Sequence, residues 1–476
     1  MRTLARMQLT HPFAALGPAF SRPAELLPLQ DPRLASWNDS AAALLGWQGG
    51  PPADFLEFIN GERGLPHAPV ASLYAGHQFG VWVPQLGDGR AAILGQVDSA
   101  ENGPWELQVK GGGPTPFSRG GDGRAVLRST IREYLGSEAV HGLNIASTRA
   151  LALVDSSTPV WREQQETAAL LVRLCPTHVR FGTFEVLASR GQTQELKTLA
   201  DFVIENFYRD CLAAEQPYLA FYQAVIGRTA ELVAGWMAQG FAHGVLNTDN
   251  MSILGVTLDY GPFAFMDAYE PGFICNHSDH HGRYAFDRQP AIALWNLSCL
   301  GSALLALVER GAAEEALRQF PAQYTRSFRR RMGAKLGLAT VDERDWALVE
   351  QLLSIMARQR ADYARTFRLL SRRATHDSLA GLFAGDTEFA RWLAAYRERT
   401  AGVANAEATA LAHNPKYLLR NYMAQIAIER AERGDYRDIE RLLRLVQAPF
   451  AEHPDAQEYF QSPPAWAAGL QLSCSS

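Results

Sequence analysis

The feature that most constrains the fold is a change of texture near residue 190. Before it, short and partly alternating apolar runs are separated by Gly, Asp and Asn. AAILGQV (91–97) and WELQVKG (105–111) read as antiparallel strands, with ENG (101–103) at the turn between them. GDGRAVLRSTIREYLGSEAVHGL (121–143) reads as a helix, because Leu127, Ile131 and Leu135 recur at i, i+4 spacing. TAALLVRLCPTHVRFGTFEVLA (167–188) continues the strand-like runs. After 190 the text turns helical, with amphipathic segments at 196–213, 217–239, 289–310, 342–370, 387–400 and 416–432. One loop-rich stretch, 240–287, interrupts them and carries most of the polar chemistry. Strands first and helices afterwards make an α+β pattern. The expected division is an N-terminal extension over 1–60, a strand-rich lobe over 61–190 and a large helical lobe over 191–476.

Composition narrows the class. The chain has 476 residues, 47% of them hydrophobic and 20% charged, which is ordinary for a soluble globular protein. No apolar run approaches the ~20 residues that span a bilayer, so no membrane role is expected. A net charge of −5 argues against a general polyanion binder, so no nucleic-acid partner is expected. The N-terminus lacks the apolar core of a secretory signal, and a cytoplasmic location is the expectation. Five scattered cysteines without a CxxC pair argue against structural zinc and suit a reducing compartment. The three histidines of CNHSDHHGRY (275–284) read as a polar loop rather than a metal site. Lysine is rare: only Lys110, Lys197, Lys335 and Lys416. Where arginine stands almost everywhere, a retained lysine points to a need for a compact ammonium, at Lys110 first.

Several constellations carry chemistry. Gly87 and Gly89, with Arg90 beside them, make a hairpin able to approach a phosphate closely, although GDG between strands is also the signature of a plain turn. Lys110 ends a strand and Glu133 follows 23 residues later in a helix, the order of the lysine–glutamate device that holds ATP phosphates in protein kinases. A surface lysine and a solvated helix acid would give the same spacing. GGGPTPFSRGGDGRAVLR (111–128) is either a flexible loop or an anion site ahead of a helix, with Asp122 as its cap. Arg173 and Arg180 would form a phosphate clamp only if the fold brought them together. HGVLNTDNMSILGVTLDYGPFAFMD (243–267) resembles a kinase catalytic loop followed by a metal-binding DFG element. His243 and Asn250 match its histidine and asparagine, and Asp259-Tyr260-Gly261 stands for DFG. Asn250 and Asp259 are hard oxygen ligands suited to Mg²⁺. The kinase catalytic aspartate is replaced by Val245, which accepts no proton; Asp249 is the nearby carboxylate that can.

At these residues the chain resembles the selenoprotein O family nearly end to end. The marks are YAGHQFGVWVPQLGDGRA (74–91), ELQVKGGGPTPFSRGGDGRAVLRSTIREYL (106–135), HGVLNTDNMSILG (243–255), LDYGPF (258–263) and NPKYLLRNYMAQIAIE (414–429). The resemblance implies a protein-kinase-like bilobal fold that transfers AMP from ATP to Ser, Thr or Tyr hydroxyls of proteins. ATP would sit flipped, with its γ-phosphate inward. Gly87, Gly89, Arg90, Lys110, Asp122, Gly123, Arg173, Arg180 and Asp259 would contact the nucleotide, and Glu133 would hold Lys110. Asn250 and Asp259 would bind Mg²⁺ or Mn²⁺, and Asp249 would be the base. Alternatives are Mn²⁺-dependent UMP transfer and an inactive nucleotide-binding scaffold. Some family members carry selenocysteine third from the end. Here that place is Cys474, which implies a redox tail with Cys275 as the expected partner.

Overall fold

The computed structural model describes residues 9–383, 385–470 and 472. Its first half is built on an eight-stranded antiparallel sheet. The strand order is Ser21–Pro23, Val70–Ser72, Ala91–Ser99, Gly103–Lys110, Gln165–Cys175, Arg149–Trp161 and Arg33–Trp37, with Ala125–Val126 pairing beside Gln165–Cys175. The hairpin predicted at 91–111 is present, with Ala91 opposite Lys110. The central strands are buried on both faces over much of their length. On one face lies the helix Leu127–Gly142, which buries Ile131, Tyr134 and Leu135.

Helices follow almost to the end, so the architecture is mixed α/β with sheet and helices segregated along the chain. The long segment Pro217–Gln239 ends at Gly240 in the left-handed region (φ 69°), where a residue without Cβ reverses the chain at little cost. The chain then enters Phe241–Ala242, which pairs with Ala264–Phe265. This small ribbon frames the polar loop between 243 and 263. Among the described residues no helix is long and apolar enough to cross a membrane.

The structure corrects several local expectations. The segment read as an irregular extension supplies both edge strands of the sheet, Ser21–Pro23 and Arg33–Trp37. Runs of three and five residues are too short to display a period. Phe181–Ser189, read as strand, is a helix. Its residues Phe181 to Leu187 are all buried, so it has no polar stripe to betray a helical repeat. The helix expected from 121 begins at Leu127, after the short strand Ala125–Val126, so Asp122 caps no helix. The segment 252–254 forms only isolated bridges. The helix expected over 289–310 ends at Ala303, the next beginning at Arg310, and the span 342–370 breaks into two helices at Arg360, with φ 49°.

Candidate functional site

The site begins with strand parity. Lys110 lies opposite Leu171, and Arg173 lies opposite Gln108 on the same pair of strands. Paired residues, and residues two apart, share a face, so Gln108, Lys110 and Arg173 project together. Helix Leu127–Gly142 packs on that face and inserts Glu133 between the two cations. Lys110 Nζ donates to Glu133 Oε2 at 2.5 Å, and Arg173 Nη1 donates to Glu133 Oε1 at 2.8 Å. The Lys110–Glu133 contact implied by the resemblance is therefore formed in the interior, in place of the surface lysine and solvated acid that the spacing also allowed.

Asp259 completes the cluster. Arg173 Nη1 donates to its Oδ1 at 2.7 Å, Arg180 Nη1 donates to its Oδ2, and Lys110 Nζ lies 3.7 Å away. Arg173 and Arg180 are thus brought together on one carboxylate. Burial disfavours the Asp259 charge, but the Arg180 and Arg173 guanidiniums and the Lys110 ammonium outweigh it and hold the carboxyl well below its usual range. Burial lowers Lys110, against the attraction of Glu133 and Asp259. Asp259 has φ 59°, a left-handed conformation that a residue with a Cβ adopts at a cost of order 1 kcal/mol. The surrounding ion pairs fix it there.

Two glycine loops roof the cluster. At Gly87 (φ 131°) a Cβ would stand 2.5 Å from the Phe117 ring, so only glycine lets the two loops touch. Thr115 Oγ1 donates to the Asp88 carbonyl at 2.6 Å, and Ser118 Oγ donates to the Gly89 carbonyl. At Gly123 (φ 65°) a Cβ would fall 2.0 Å from the Gly113 carbonyl oxygen. Asp122 accepts from Arg162 at 2.8 and 3.0 Å and from the Arg124 backbone N–H at 2.9 Å.

Beside the cluster lies Asp249, buried at 6% exposure, whose backbone carbonyl accepts from Arg180 Nη1 at 2.8 Å. Its Oδ2 accepts from Gln78 Nε2 at 3.3 Å, while its Oδ1 is buried without a partner among the described residues. Burial pushes its carboxyl up to about 6, against the opposing pull of Arg180 and the Gln78 hydrogen bond. A Cβ on Gly76 would stand 2.5 Å from Oδ1, so that glycine admits the carboxylate. Asn250 donates its amide N–H to the Val245 carbonyl at 3.0 Å, which leaves it an oxygen to offer. Between these walls opens a cavity of about 650 Å³, lined among others by Arg90, Lys110, Asp122, Gly123, Asp249 and Asn250. Val245 lines it too, without a titratable group. Its volume and convergent cations suit a polyanionic ligand of nucleotide size.

A profile described as "Protein adenylyltransferase SelO" matches residues 3–447. The chain belongs to the SelO family. It is 50% identical over 495 residues to "Protein nucleotidyltransferase YdiU" of Thioalkalivibrio sulfidiphilus, covering 100% of both chains. It is also 50% identical over 488 residues to the Myxococcus xanthus protein of that name (100% of both), and 48% over 484 residues to the Vibrio cholerae one (99% of both). This SelO member is an enzyme of the protein nucleotidyltransferase class.

Sequence reasoning missed several residues of the SelO cavity. Asp88, read only as the middle of a turn, is buried. It accepts from the Ser72 N–H, the Tyr74 hydroxyl and Gln108 Nε2 at 3.2 to 3.3 Å, with Arg180 Nη2 at 3.5 Å. Its carboxylate between two glycines was the available signal. Gln78 lay inside YAGHQFG, where no charge or spacing marked it. Arg162 follows an exposed strand end and carries no local signal at all. Cys474, the expected partner of Cys275, lies outside the described residues. Cys275 is buried, and burial pushes its thiol up to about 12.

Proposed function

We propose that this protein transfers AMP from ATP to Ser, Thr or Tyr hydroxyls of proteins, on a kinase-like bilobal scaffold that holds ATP in a flipped orientation. The carrying observation is the convergence of Lys110, Arg173 and Arg180 on Asp259 at the deep end of the cavity. Buried cations there favour the most highly charged part of the nucleotide, the β- and γ-phosphates, which leaves the α-phosphorus toward Asp249. Gly87, Gly89 and Gly123 let backbone approach the nucleotide, Arg90 adds charge, and Asp122 and Gly123 line the mouth. Glu133 keeps Lys110 and Arg173 in register.

Asn250 and Asp259 would hold Mg²⁺ or Mn²⁺. The fit rests on donor chemistry: one amide oxygen, one carboxylate held ionised, and no soft ligand among the cavity residues. When bound, the ion supplies charge neutralisation for the phosphates. The residues themselves do the positioning. Asp249 accepts the proton of the attacking hydroxyl; the hydroxyl oxygen bonds to the α-phosphorus, and the bond to the β-phosphate oxygen breaks, releasing pyrophosphate. A carboxyl near 6 is ionised at neutral pH and more basic than an ordinary aspartate, which suits it to that task.

The reading extends to the tail, where Cys275 and Cys474 would form a redox-sensitive pair. In its support, the His277 N–H, two residues past Cys275, donates to the Leu472 carbonyl at 2.8 Å, two residues before Cys474. Non-reducing peptide mapping of oxidised protein detects the cross-link if it forms. For the main activity, intact-mass spectrometry of acceptor protein with ATP and Mg²⁺ is the test. An AMP-sized gain with wild type and none with Asp259→Ala is expected. A phosphate-sized gain overturns the reading.

A further inference from the structure

Outside the nucleotide cavity, three residues from distant parts of the chain converge on one point. His77 lies in the strand Gly76–Gln78, Glu185 in the helix Phe181–Ser189 and Cys299 in the helix Gln289–Ala303. One donor atom from each lies within 4.8 Å of the other two. His77 Nδ1 stands 2.8 Å from Glu185 Oε1. A histidine–carboxylate ion pair alone would account for that contact, but it leaves two observations unexplained. Glu185 is only 4% exposed, and among the described residues its buried Oε2 has no hydrogen-bond partner. Burial raises the Glu185 carboxyl and the nearby Thr248 hydroxyl opposes that, yet among the described residues no donor completes a bond to Oε2. A thiol, a weak donor, occupies the remaining side.

We propose that His77, Glu185 and Cys299 form a site for one divalent cation of the zinc class, with water in the remaining position. The donor set decides the class. One imidazole nitrogen, one carboxylate oxygen and one thiolate sulfur match Zn²⁺ or Co²⁺, whereas Mg²⁺ and Ca²⁺ favour oxygen-only sites. Three protein ligands with a fourth place left to solvent is a common zinc arrangement. The His77 side chain is 25% exposed, so water and the ion have access. Its ring is fixed between Trp82 and Trp295, at 4.9 and 5.1 Å between centroids, which limits the reorganisation that binding requires. On binding, Cys299 releases its thiol proton to solvent and the Glu185 oxygen gains its missing partner. The ion would tie strand Gly76–Gln78 to the helices Phe181–Ser189 and Gln289–Ala303. The site escaped the sequence because its ligands are more than 100 residues apart, whereas zinc motifs are recognised by close pairs.

This proposal stands independently of nucleotide transfer. The test uses full-length protein, stripped with chelator, held in a phosphine reductant and titrated with Co²⁺. Expected is one Co²⁺ per chain with a near-ultraviolet thiolate-to-cobalt charge-transfer band, bleached by one equivalent of Zn²⁺ and unaffected by excess Mg²⁺. The band is expected to disappear in Cys299→Ser and to persist in Cys474→Ser, and Glu185→Gln is expected to lose stoichiometric binding while keeping the wild-type circular dichroism. A wild type without the band, a band that survives Cys299→Ser, or displacement of Co²⁺ by Mg²⁺ overturns the assignment.

Discussion

Asp249 stores a cost that its removal should release. Burial raises its carboxyl from 3.8 to about 6. At ~1.4 kcal/mol per tenfold change in proton affinity, holding that group ionised in the fold costs about 3 kcal/mol. Asp249→Asn keeps the shape and the Gln78 hydrogen bond but removes the charge. The new amide N–H inherits the unpartnered position of Oδ1, which returns about 1 to 2 kcal/mol of desolvation. The net expectation is a stabilisation of about 1 to 2 kcal/mol at pH 7.5, together with loss of AMP transfer, because function here requires a strained charge. The sign of the pH dependence follows from the folded pKa being the higher one. The penalty is absent below about 4, grows as pH rises between the two pKa values, and is complete above about 6. About half of that penalty remains at pH 5, where the cost of the unpartnered amide roughly cancels it, so the advantage of Asp249→Asn should nearly vanish there. Thermal melts of both proteins, in EDTA and without nucleotide, measure this directly; the expected gain at pH 7.5 is about 1–2 °C. A variant that melts below wild type at pH 7.5, or an offset that does not change on acidification, would refute the account of Asp249 as a desolvated carboxylate.

Gln78→Ala removes the one side-chain donor on Asp249 among the described residues. Loss of a long hydrogen bond worth about 1 kcal/mol should move the acidic limb of kcat/KM upward by roughly half to one pH unit, read from the pH–rate profile. Glu133→Gln leaves Lys110 and Arg173 with Asp259 as their remaining counter-charge. The expected cost is about 3 kcal/mol of stability in urea titrations, with a fall of about a hundredfold in kcat/KM for ATP. Gly123→Ala forces a Cβ onto the Gly113 carbonyl at a positive φ. A loss of at least about 2 kcal/mol and a raised KM for ATP are expected, because the loop must move to relieve the clash.

How much of this was legible in the sequence can be judged from particular residues. The order behind the Lys110–Glu133 contact (a strand end, a glycine loop, then a helix) was readable because it is local, but that order also allowed a surface lysine and a solvated acid; docking of the helix on the sheet made the pair. The polar loop was readable because His243, Asn250 and Asp259 keep a spacing set by one short chain reversal. Reading Phe181–Ser189 as strand failed because complete burial erases periodicity. The start of the chain looked irregular because its strands are completed by hydrogen bonds from Val70–Ser72 and Arg149–Trp161 rather than by their own pattern.

The sequence by itself determined the broad change from strands to helices, the family, and the chemical types gathered at 85–90, 110–133 and 243–262. These follow from local propensity and short-range order, which a linear text records. Only the tertiary structure decided that Arg173 and Arg180 share one carboxylate, that Asp249 is desolvated against Gly76, and that His77, Glu185 and Cys299 meet. Each of those depends on strand parity, helix docking and burial acting between residues up to hundreds of positions apart. Charge and pKa are set by that three-dimensional neighbourhood, not by the identity of the neighbours in sequence.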